Sequence, residues 1–254
     1  MDDKTKILYD DGHHKCVMFG FDDEEQEDAF LSVNQYLIVQ NGAGVLIDPG
    51  SEAIFDELYE AVSEHIDIDD IKFIFFSHQD PDVSGSIAQW SLVTKAKFIM
   101  SGLWVRFMSH YGFMEMSRVM SLPDHGAKLN FGNDYLKFVP AHFLHSPGNF
   151  SLYDSKSKIV FSGDIGAAIV ATPEAYKKVE NFEDHKEHLL GFHKRYMGSN
   201  KLCQAWVAQI KKLDINSIAP QHGFVFEGED AEKFLDWLNE LQCGSDLLDE
   251  LYPQ

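Results

Sequence analysis

The segment 77-SHQDPDVSG-85 decides how this chain is interpreted, because it places three side chains that can coordinate a cation within five residues. His78, Asp80 and Asp82 alternate with other residues, and an apolar run that predicts a buried strand comes directly before them. In an extended segment, alternate residues face the same side, and Pro81 favours an extended conformation at Asp80. A surface turn needs only one Asp or Gly. The pattern therefore indicates a cation site.

The overall composition is typical of a well-packed globular chain. Of the 254 residues, 44% are hydrophobic and 13% are aromatic, and we expect a single domain over residues 1–254. No stretch of about 18 apolar residues is present, so we expect no membrane span. The N-terminus, MDDKTKILYDD, has no basic segment followed by an apolar one, so we expect no signal peptide and a cytoplasmic location.

Charge and cysteine content argue against two classes of function. The formal net charge of −20 at pH 7 repels phosphate backbones, so we expect no nucleic-acid binding. Cys16, Cys203 and Cys243 are scattered, odd in number and not part of any Cys-x-x-Cys pair. Such cysteines are typical of a reducing compartment and argue against a metal held by cysteine.

Hydrophobic periodicity predicts an α/β protein. Short apolar or alternating runs predict strands, and apolar residues at helical spacing predict helices. The predicted strands are 34–39, 44–48, 71–76, 97–100, 136–139, 149–154, 158–164 and 216–220, and the predicted helices are 52–65, 84–92, 174–180, 183–196, 200–213 and 230–242. Because strands occur in both halves of the chain with helices between them, we expect two sheets faced by helices, a four-layer αββα sandwich.

Three further motifs repeat the pattern of a short apolar strand next to a His or Asp beside Gly or Pro. They are 145-HSPGN-149, 162-SGD-164 and 220-PQHG-223. They add His145, Asp164 and His222 to the three candidates above. Loops at one edge of a sheet can converge on one point, with rigid strands behind them. Three imidazoles and three carboxylates suit two metal ions that share a bridging carboxylate.

Each motif also has an ordinary structural explanation. An Asp beside Gly, such as Asp164, is usually a turn or cap residue, and a single His, such as His222, is usually a surface or hydrogen-bonded histidine. Asp48 is interpreted as a turn former or a partner of the ligands rather than a ligand, and His142 as a weaker candidate than His145. The joint occurrence of four motifs, each at a strand end, favours a metal site.

Taken together, these motifs resemble those of the metallo-β-lactamase superfamily over about residues 34–240. Hydrolases of that superfamily carry HxHxDH, whereas this chain has Asp80 in place of the second His and Val83 in place of the last. A carboxylate at the second position is the mark of the flavodiiron branch, whose motif is HxExDHxG. The resemblance implies the four-layer fold and a non-haem diiron site.

The resemblance also implies how the ligands are shared between two irons. One iron would be held by His78, Asp80 and His145, the other by Asp82 and His222, and Asp164 would bridge them. Oxygen-rich donor sets that include imidazole favour iron or manganese over zinc. When oxidised, the irons would be bridged by oxygen or peroxide.

Three departures from the flavodiiron pattern are expected to matter. Asp80 is one methylene shorter than Glu, which would shift its iron or leave a coordination position open. Val83 would make the pocket drier and remove a proton donor. The sequence ends at Gln254, where flavodiiron proteins continue into a flavodoxin-like domain, and no flavin-phosphate loop is found. The resemblance is thus to stand-alone oxygen-binding diiron proteins, without FMN.

The implied function is binding of O2, or of NO, at two irons. With an external electron donor of the rubredoxin kind, the chain would be an O2 or NO reductase; without one, it would be an O2 sensor that acts on a signalling partner, and both options stay open. The alternative is a metal-dependent hydrolase of phosphodiesters, thioesters or lactones. A homodimer is also considered, because flavodiiron proteins bring the flavin of one subunit to the iron of another.

Residues outside the four motifs are interpreted mainly as structural. His185 and His188, in the predicted helix 183–196, are assigned to a solvated charged face rather than to the metals. Tyr196 and Met197 are placed near the mouth of the pocket.

Overall fold

The computed structural model describes residues 5–21, 32–169 and 178–253, which form two β-sheets and the helices that cover them. Within these residues the first sheet has seven strands in chain order: β1 (Thr5–Asp10), β2 (His14–Phe21), β3 (Val33–Gln40), β4 (Ala43–Ile47), β5 (Ile71–Phe75), β6 (Lys97–Ser101) and β7 (Val119–Leu122). Neighbouring strands pair antiparallel from β1 to β4, and neighbouring strands pair parallel from β4 to β7.

The second sheet has the order β13-β12-β11-β10-β9-β8 in the described part of the chain. Its strands are β8 (Ala127–Phe131), β9 (Asp134–Pro140), β10 (Phe150–Asp154), β11 (Ile159–Gly163), β12 (Ser217–Pro220) and β13 (Phe226–Glu227). Only β11 and β12 form a parallel pair here, and their register pairs Gly163 with Pro220. The segments that follow these two strands therefore leave the sheet side by side.

The α-helices of the described residues lie on the outer faces of the two sheets or follow the last strands. They are α1 (Phe55–Ser63), α2 (Pro81–Ser84), α3 (Ile87–Val93), α4 (Phe182–Tyr196), α5 (Asn200–Ile210), α6 (Glu229–Glu240) and α7 (Leu248–Leu251). None of these helices has the length and apolar character of a membrane span.

Three buried apolar clusters confirm the predicted order of layers. The first lies between the sheets and contains Tyr36 and Phe161, whose rings are 4.9 Å apart. The second packs the other face of the first sheet against α1 and α3, and includes Leu37, the neighbour of Tyr36 on β3. The third packs the second sheet against α4, α5 and α6, around Trp206. Because neighbouring strand residues point to opposite faces, each sheet contributes to two clusters, and the layers follow the order α-β-β-α.

Most of the predicted elements are present, with three corrections. The predicted helix 84–92 corresponds mainly to α3. A separate short helix, α2, comes before it and begins at Pro81. Residues 174–177 of the predicted helix 174–180 are not among the described residues. Lys178 forms an isolated β-bridge with Val225 and is not helical. Strands β1, β2, β7, β8 and β13 were not predicted.

A turn at Asn41-Gly42 joins β3 to β4, and both residues have positive φ, 48° and 81°. Positive φ at both central residues is what a tight hairpin turn requires. The hairpin fixes the register that buries alternate residues of β3 on the two faces of the first sheet.

Candidate metal centre

All six residues predicted from the four motifs meet at one end of the sandwich. His78 follows β5, His145 lies in the loop between β9 and β10, Asp164 follows β11, and His222 follows β12. Backbone hydrogen bonds join the two sheets at this end: Phe150 N donates to Ser77 O, and Asn34 N donates to Gln221 O. The loops therefore converge because strands of both sheets hold them.

Asp164 is at the middle of the six side chains. Its Oδ2 lies 3.0 Å from His145 Nε2 and 3.7 Å from His78 Nε2, and its Oδ1 lies 3.6 Å from His222 Nε2. Gly163 makes this placement feasible, because its φ is 61° and a Cβ there would lie 3.0 Å from Ser77 Oγ. The two oxygens of one carboxylate thus face two different sets of imidazoles.

The other two carboxylates each belong to one set. Asp80 Oδ2 lies 3.3 Å from His145 Nε2 and 3.8 Å from His78 Nε2. Asp82 Oδ2 lies 3.2 Å from His222 Nε2. Asp80 and Asp82 have side chains 34% and 38% exposed, whereas His78, Asp164 and His222 are buried. The site is therefore open to solvent on the side of these two carboxylates.

One step of the sequence argument is wrong. Asp80 is extended as predicted, with φ −64° and ψ 154°, and it precedes Pro81 at the start of α2. Asp82, however, is in the first turn of α2, so the alternation of an extended segment does not place it. Asp82 reaches the site because α2 turns it towards His222.

Two buried polar atoms of the six candidate ligands have no hydrogen-bond partner, and they test whether a cation fits. They are His78 Nε2 and Asp164 Oδ1. Unpartnered buried polar atoms are costly and rare. Each points into the cluster of imidazole and carboxylate groups, where a metal ion would satisfy both, so these residues fit a metal.

The ionisation of the site is consistent with a place for positive charge. Burial alone would raise the pKa of Asp164, but the three surrounding imidazoles outweigh burial and hold this pKa well below its ordinary value. Burial would lower the pKa of His145, but its hydrogen bonds with Asp164 and Asp80 raise it to about 10. The pKa of His222 is raised in the same way to about 9, by Asp82 and Asp164. Protons on His145 and His222 thus offset part of the carboxylate charge, and metal ions bind by displacing such protons.

The remaining ring nitrogens of two histidines are held by neighbouring groups. His78 Nδ1 lies 2.9 Å from Ser77 Oγ, and His222 Nδ1 lies 2.9 Å from Ser32 O. A metal-binding His usually has its second nitrogen fixed in this manner, which orients the ring. Asp48 accepts a hydrogen bond of 2.7 Å from Ser77 N, which confirms its predicted role as a supporting partner.

Two glutamines that were not selected in the sequence analysis contact the exposed carboxylates. Gln79 Nε2 donates to Asp80 Oδ1 at 2.8 Å, and Gln221 Nε2 lies 3.3 Å from Asp82 Oδ2. The Ser146 hydroxyl, next to His145, is 2.8 Å from Gln79 Oε1. Gln79 therefore connects two of the converging loops and leaves Asp80 Oδ2 facing the imidazoles. The only sequence signal is that each glutamine directly precedes a candidate ligand.

Aromatic rings cover the His145 side of the site. The rings of Tyr196 and Phe192 lie 5.8 Å and 6.2 Å from the His145 ring and stack on each other at 4.6 Å. Tyr196 is exposed, which confirms its predicted place at the mouth, but Met197 is buried in the core, so that part of the prediction is wrong.

Four other residues weighed from the sequence lie away from the ligand atoms or in the core. His142 Nε2 contacts Asp124 O instead of the site. His185 is buried and its ring stacks on Phe224 at 5.1 Å, so its assignment to a solvated face is wrong, whereas His188 is exposed. Val83 is fully buried in the apolar cluster with α3, which assigns it to core packing.

Comparison with known proteins gives relatives of two kinds. An uncharacterized protein of Methanocaldococcus jannaschii is 29% identical over 80% of this chain, and a flavo-diiron protein of Clostridium acetobutylicum is 26% identical over 83% of it. The chain spans about half the length of these curated relatives, 52% and 54% respectively.

Among solved structures, two of a chemotaxis sensor named ODP align over nearly the whole chain. The structure described as its peroxy diiron species has 43% identity and a TM-score of 0.88, and covers 98% of this chain and 100% of that one. Its apo state, from T. denticola, has 44% identity and the same TM-score. A flavo di-iron protein mutant from Thermotoga maritima has 25% identity and a TM-score of 0.77 over 92% of this chain and 60% of its own.

The family comparison agrees with these structures. The family model described as ODP family beta lactamase matches residues 31–223, which include all six residues of the candidate metal centre. The chain belongs to this ODP family of β-lactamase-like proteins.

Proposed function

We propose that this protein is a non-haem diiron protein that binds O2, and also NO, at the candidate metal centre. The observation that carries the proposal is the position of Asp164, with one oxygen facing His145 and His78 and the other facing His222. A carboxylate in this position can serve two ions at once. The diiron and flavo-diiron relatives support iron as the metal.

The ligands divide into two sets around that carboxylate. One ion would be held by His78, Asp80 and His145 and the second by Asp82 and His222, and Asp164 would be shared by both sets. Three imidazoles and three carboxylates form a donor set without sulfur, which suits iron or manganese better than a thiolate-seeking metal. When bound, a pair of ferrous ions supplies two electrons to O2.

The chain's own side chains control access and orientation. Tyr196 and Phe192 shield the His145 side, so a small diatomic ligand enters beside the more exposed Asp80 and Asp82. Ser77 and Ser32 fix the rings of His78 and His222. Gln79 and Gln221 hold the two exposed carboxylates, so the site keeps its shape while its open side stays wet.

Sensing is favoured over turnover as the role of this O2 site. The solved structures that align over 98% of this chain, with 43% and 44% identity, are described as a chemotaxis sensor. Complete reduction of O2 takes four electrons and two ferrous ions supply two, so a reductase would need an external donor. We assign the chain a signalling partner, one metallo-β-lactamase-like domain over residues 1–254 and a cytoplasmic location. Three buried cysteines with free thiols support a reducing compartment.

The first test is an optical spectrum of the reduced, iron-loaded protein before and after O2 is admitted. We expect two irons per chain and a new visible charge-transfer band that decays slowly on its own. Rapid decay and steady O2 consumption on addition of an electron donor would instead identify a reductase. Absence of a band, with zinc retained and a phosphodiester or thioester hydrolysed, would replace the proposal with a hydrolase.

Substitution of Gln79 tests the support of the exposed carboxylate. Gln79→Leu keeps the side-chain size but removes the donor to Asp80, and we expect iron affinity to fall roughly 10- to 100-fold, as is usual for partners of metal ligands. Competition with a chromogenic chelator measures this affinity. Gln204→Leu, at an exposed position on α5, is the matched control and should leave it unchanged. Equal affinities in both variants would remove Gln79 from the supporting set.

A further inference from the structure

A second group of coordinating side chains lies at the opposite end of the sandwich. His14 and Cys16 are two residues apart on β2, and Asp154 is the last residue of β10 in the other sheet. Strand β2 runs parallel to β5, and β10 runs antiparallel to β11, so this group is at the sheet ends remote from the candidate metal centre. All three side chains are buried, with at most 1% of each exposed.

The spacing of the three ligand atoms resembles that around a tetrahedral ion. Cys16 Sγ lies 3.6 Å from both His14 Nε2 and Asp154 Oδ2. With usual zinc bond lengths and tetrahedral angles, sulfur lies about 3.6 Å from the nitrogen and oxygen ligands, and these two lie about 3.4 Å apart. The observed His14–Asp154 distance is 2.7 Å, so an ion would widen this pair by roughly 0.7 Å.

The group also has the surrounding contacts that a metal site needs. His14 Nδ1 lies 2.5 Å from Gln40 Oε1, which directs Nε2 towards Cys16 and Asp154. The backbone N–H groups of Lys156 and Ser157 donate to Asp154 and hold its carboxylate in place. Partners of this kind orient metal ligands.

Charge explains how the same group is stable with and without an ion. Gln40 Oε1 faces one nitrogen of His14 and the Asp154 carboxylate faces the other, so the imidazole carries two protons and a positive charge. With a neutral Cys16 thiol, the buried group then has a net charge of zero. One divalent ion can replace the Nε2 proton and the thiol proton, and these two protons leave as H+. The ion's charge of +2 is then balanced by the thiolate and the carboxylate, so the net charge stays zero. Neither state buries an unbalanced charge, which would be costly.

We infer that His14, Cys16 and Asp154 form a second metal site, for a thiolate-binding divalent cation of the zinc class. Soft thiolate ligands select zinc over the metals that prefer oxygen donors, so the two ends of the molecule would sort two different metals. Three protein ligands leave one tetrahedral position for a small non-protein ligand. His14 also lines a cavity of about 290 Å³ with Gly12 and Gly42.

Cobalt titration tests this site separately from the candidate metal centre. The protein is first loaded with iron under anaerobic conditions and then titrated with Co2+. A thiolate-to-cobalt charge-transfer band in the near ultraviolet reports only sulfur-bound ions, and none of the six residues of the candidate metal centre is a cysteine. We expect this band to saturate at one ion per chain and to disappear when Zn2+ is added in competition.

Cysteine variants decide which sulfur is bound. Cys16→Ser should abolish the band and weaken zinc binding by more than the roughly 10- to 100-fold that is typical when only a partner of a ligand is lost, whereas Cys203→Ser, also buried, should leave both unchanged. Asp154→Asn, which keeps the side-chain shape, should also weaken zinc binding, and circular dichroism checks that each variant is folded. The inference is overturned if the unmodified protein gives no thiolate band, if cobalt binds only at the six-residue centre, or if the band persists in Cys16→Ser.

Discussion

Asp164→Ala is expected to leave the protein without either iron. Asp164 places one oxygen towards His78 and His145 and the other towards His222, so its removal takes a ligand from both ions. It also leaves the imidazoles of His145 and His222 without the carboxylate that lies between them. We expect iron content, measured by plasma mass spectrometry after reconstitution and desalting, to fall from two ions per chain to background.

Substitution of one outer carboxylate gives the matched comparison. Asp82→Ala removes a ligand from one set only, and we expect it to keep the ion that His78, Asp80 and His145 would hold together with Asp164. Asp236→Ala, at an exposed ion pair with Lys211, should keep both ions, because exposed pairs contribute little. If Asp164→Ala retains one iron per chain, this carboxylate is a ligand of a single iron. If the variant retains two irons, Asp164 is not a ligand.

The six site residues could be predicted from the sequence because each has a local signal. Each has a coordinating side chain and stands in a short motif next to a predicted strand, and each of these motifs contains Gly or Pro. The pairing of Gly163 with Pro220, which brings Asp164 and His222 together, has no such signal, since it depends on two strands far apart in the chain. The resemblance to a family supplied that step.

Other features were missed because their partners are distant or their signals weak. Cys16 was set aside since no second cysteine was near in sequence, yet Asp154 meets it from the other sheet, 138 residues later. Strands β1 and β2 were not predicted, although Asp11-Gly12 between them is a hairpin signal. Asp82 was assigned by the alternation of a strand, while the structure places it in a helix that begins at Pro81.

His193 connects helix α4 to the turn that carries Asp164. Its Nδ1 lies 2.8 Å from Leu189 O and acts as the donor, and its Nε2 accepts a hydrogen bond of 3.0 Å from Gly166 N. The imidazole is completely buried, against Trp237 and Phe234. The neutral ring, with its proton on Nδ1, is the form that satisfies both contacts, because a proton on Nε2 would displace the Gly166 N–H.

Acid is therefore expected to destabilise the protein through His193. Burial lowers the pKa of His193 from 6.5 to about 4, in spite of the hydrogen bond to Leu189 and the nearby charge of Asp164. Between these two values the unfolded chain binds a proton that the folded chain does not. Stability from this group is thus complete above about pH 6.5, falls as the pH decreases, and levels off below about pH 4. The loss should reach about 2 kcal/mol at about pH 5.

His193→Gln isolates this contribution, because the amide oxygen can accept from Gly166 N–H but does not titrate. Urea unfolding at about pH 7.5 and about pH 5 gives the free energy of unfolding of each protein, and the variant should lose about 2 kcal/mol less than the unmodified chain over this interval. Other titrating groups cancel in the difference, since both proteins share them. Equal losses would mean that the pKa of His193 is the same in the folded and the unfolded chain, so that burial does not lower it. Protonation of His193 would break its hydrogen bond with Gly166 N. Because Gly166 is two residues from Asp164, this would also loosen the turn that presents the Asp164 carboxylate. Release of iron in acid should therefore begin at a lower pH in His193→Gln than in the unmodified chain.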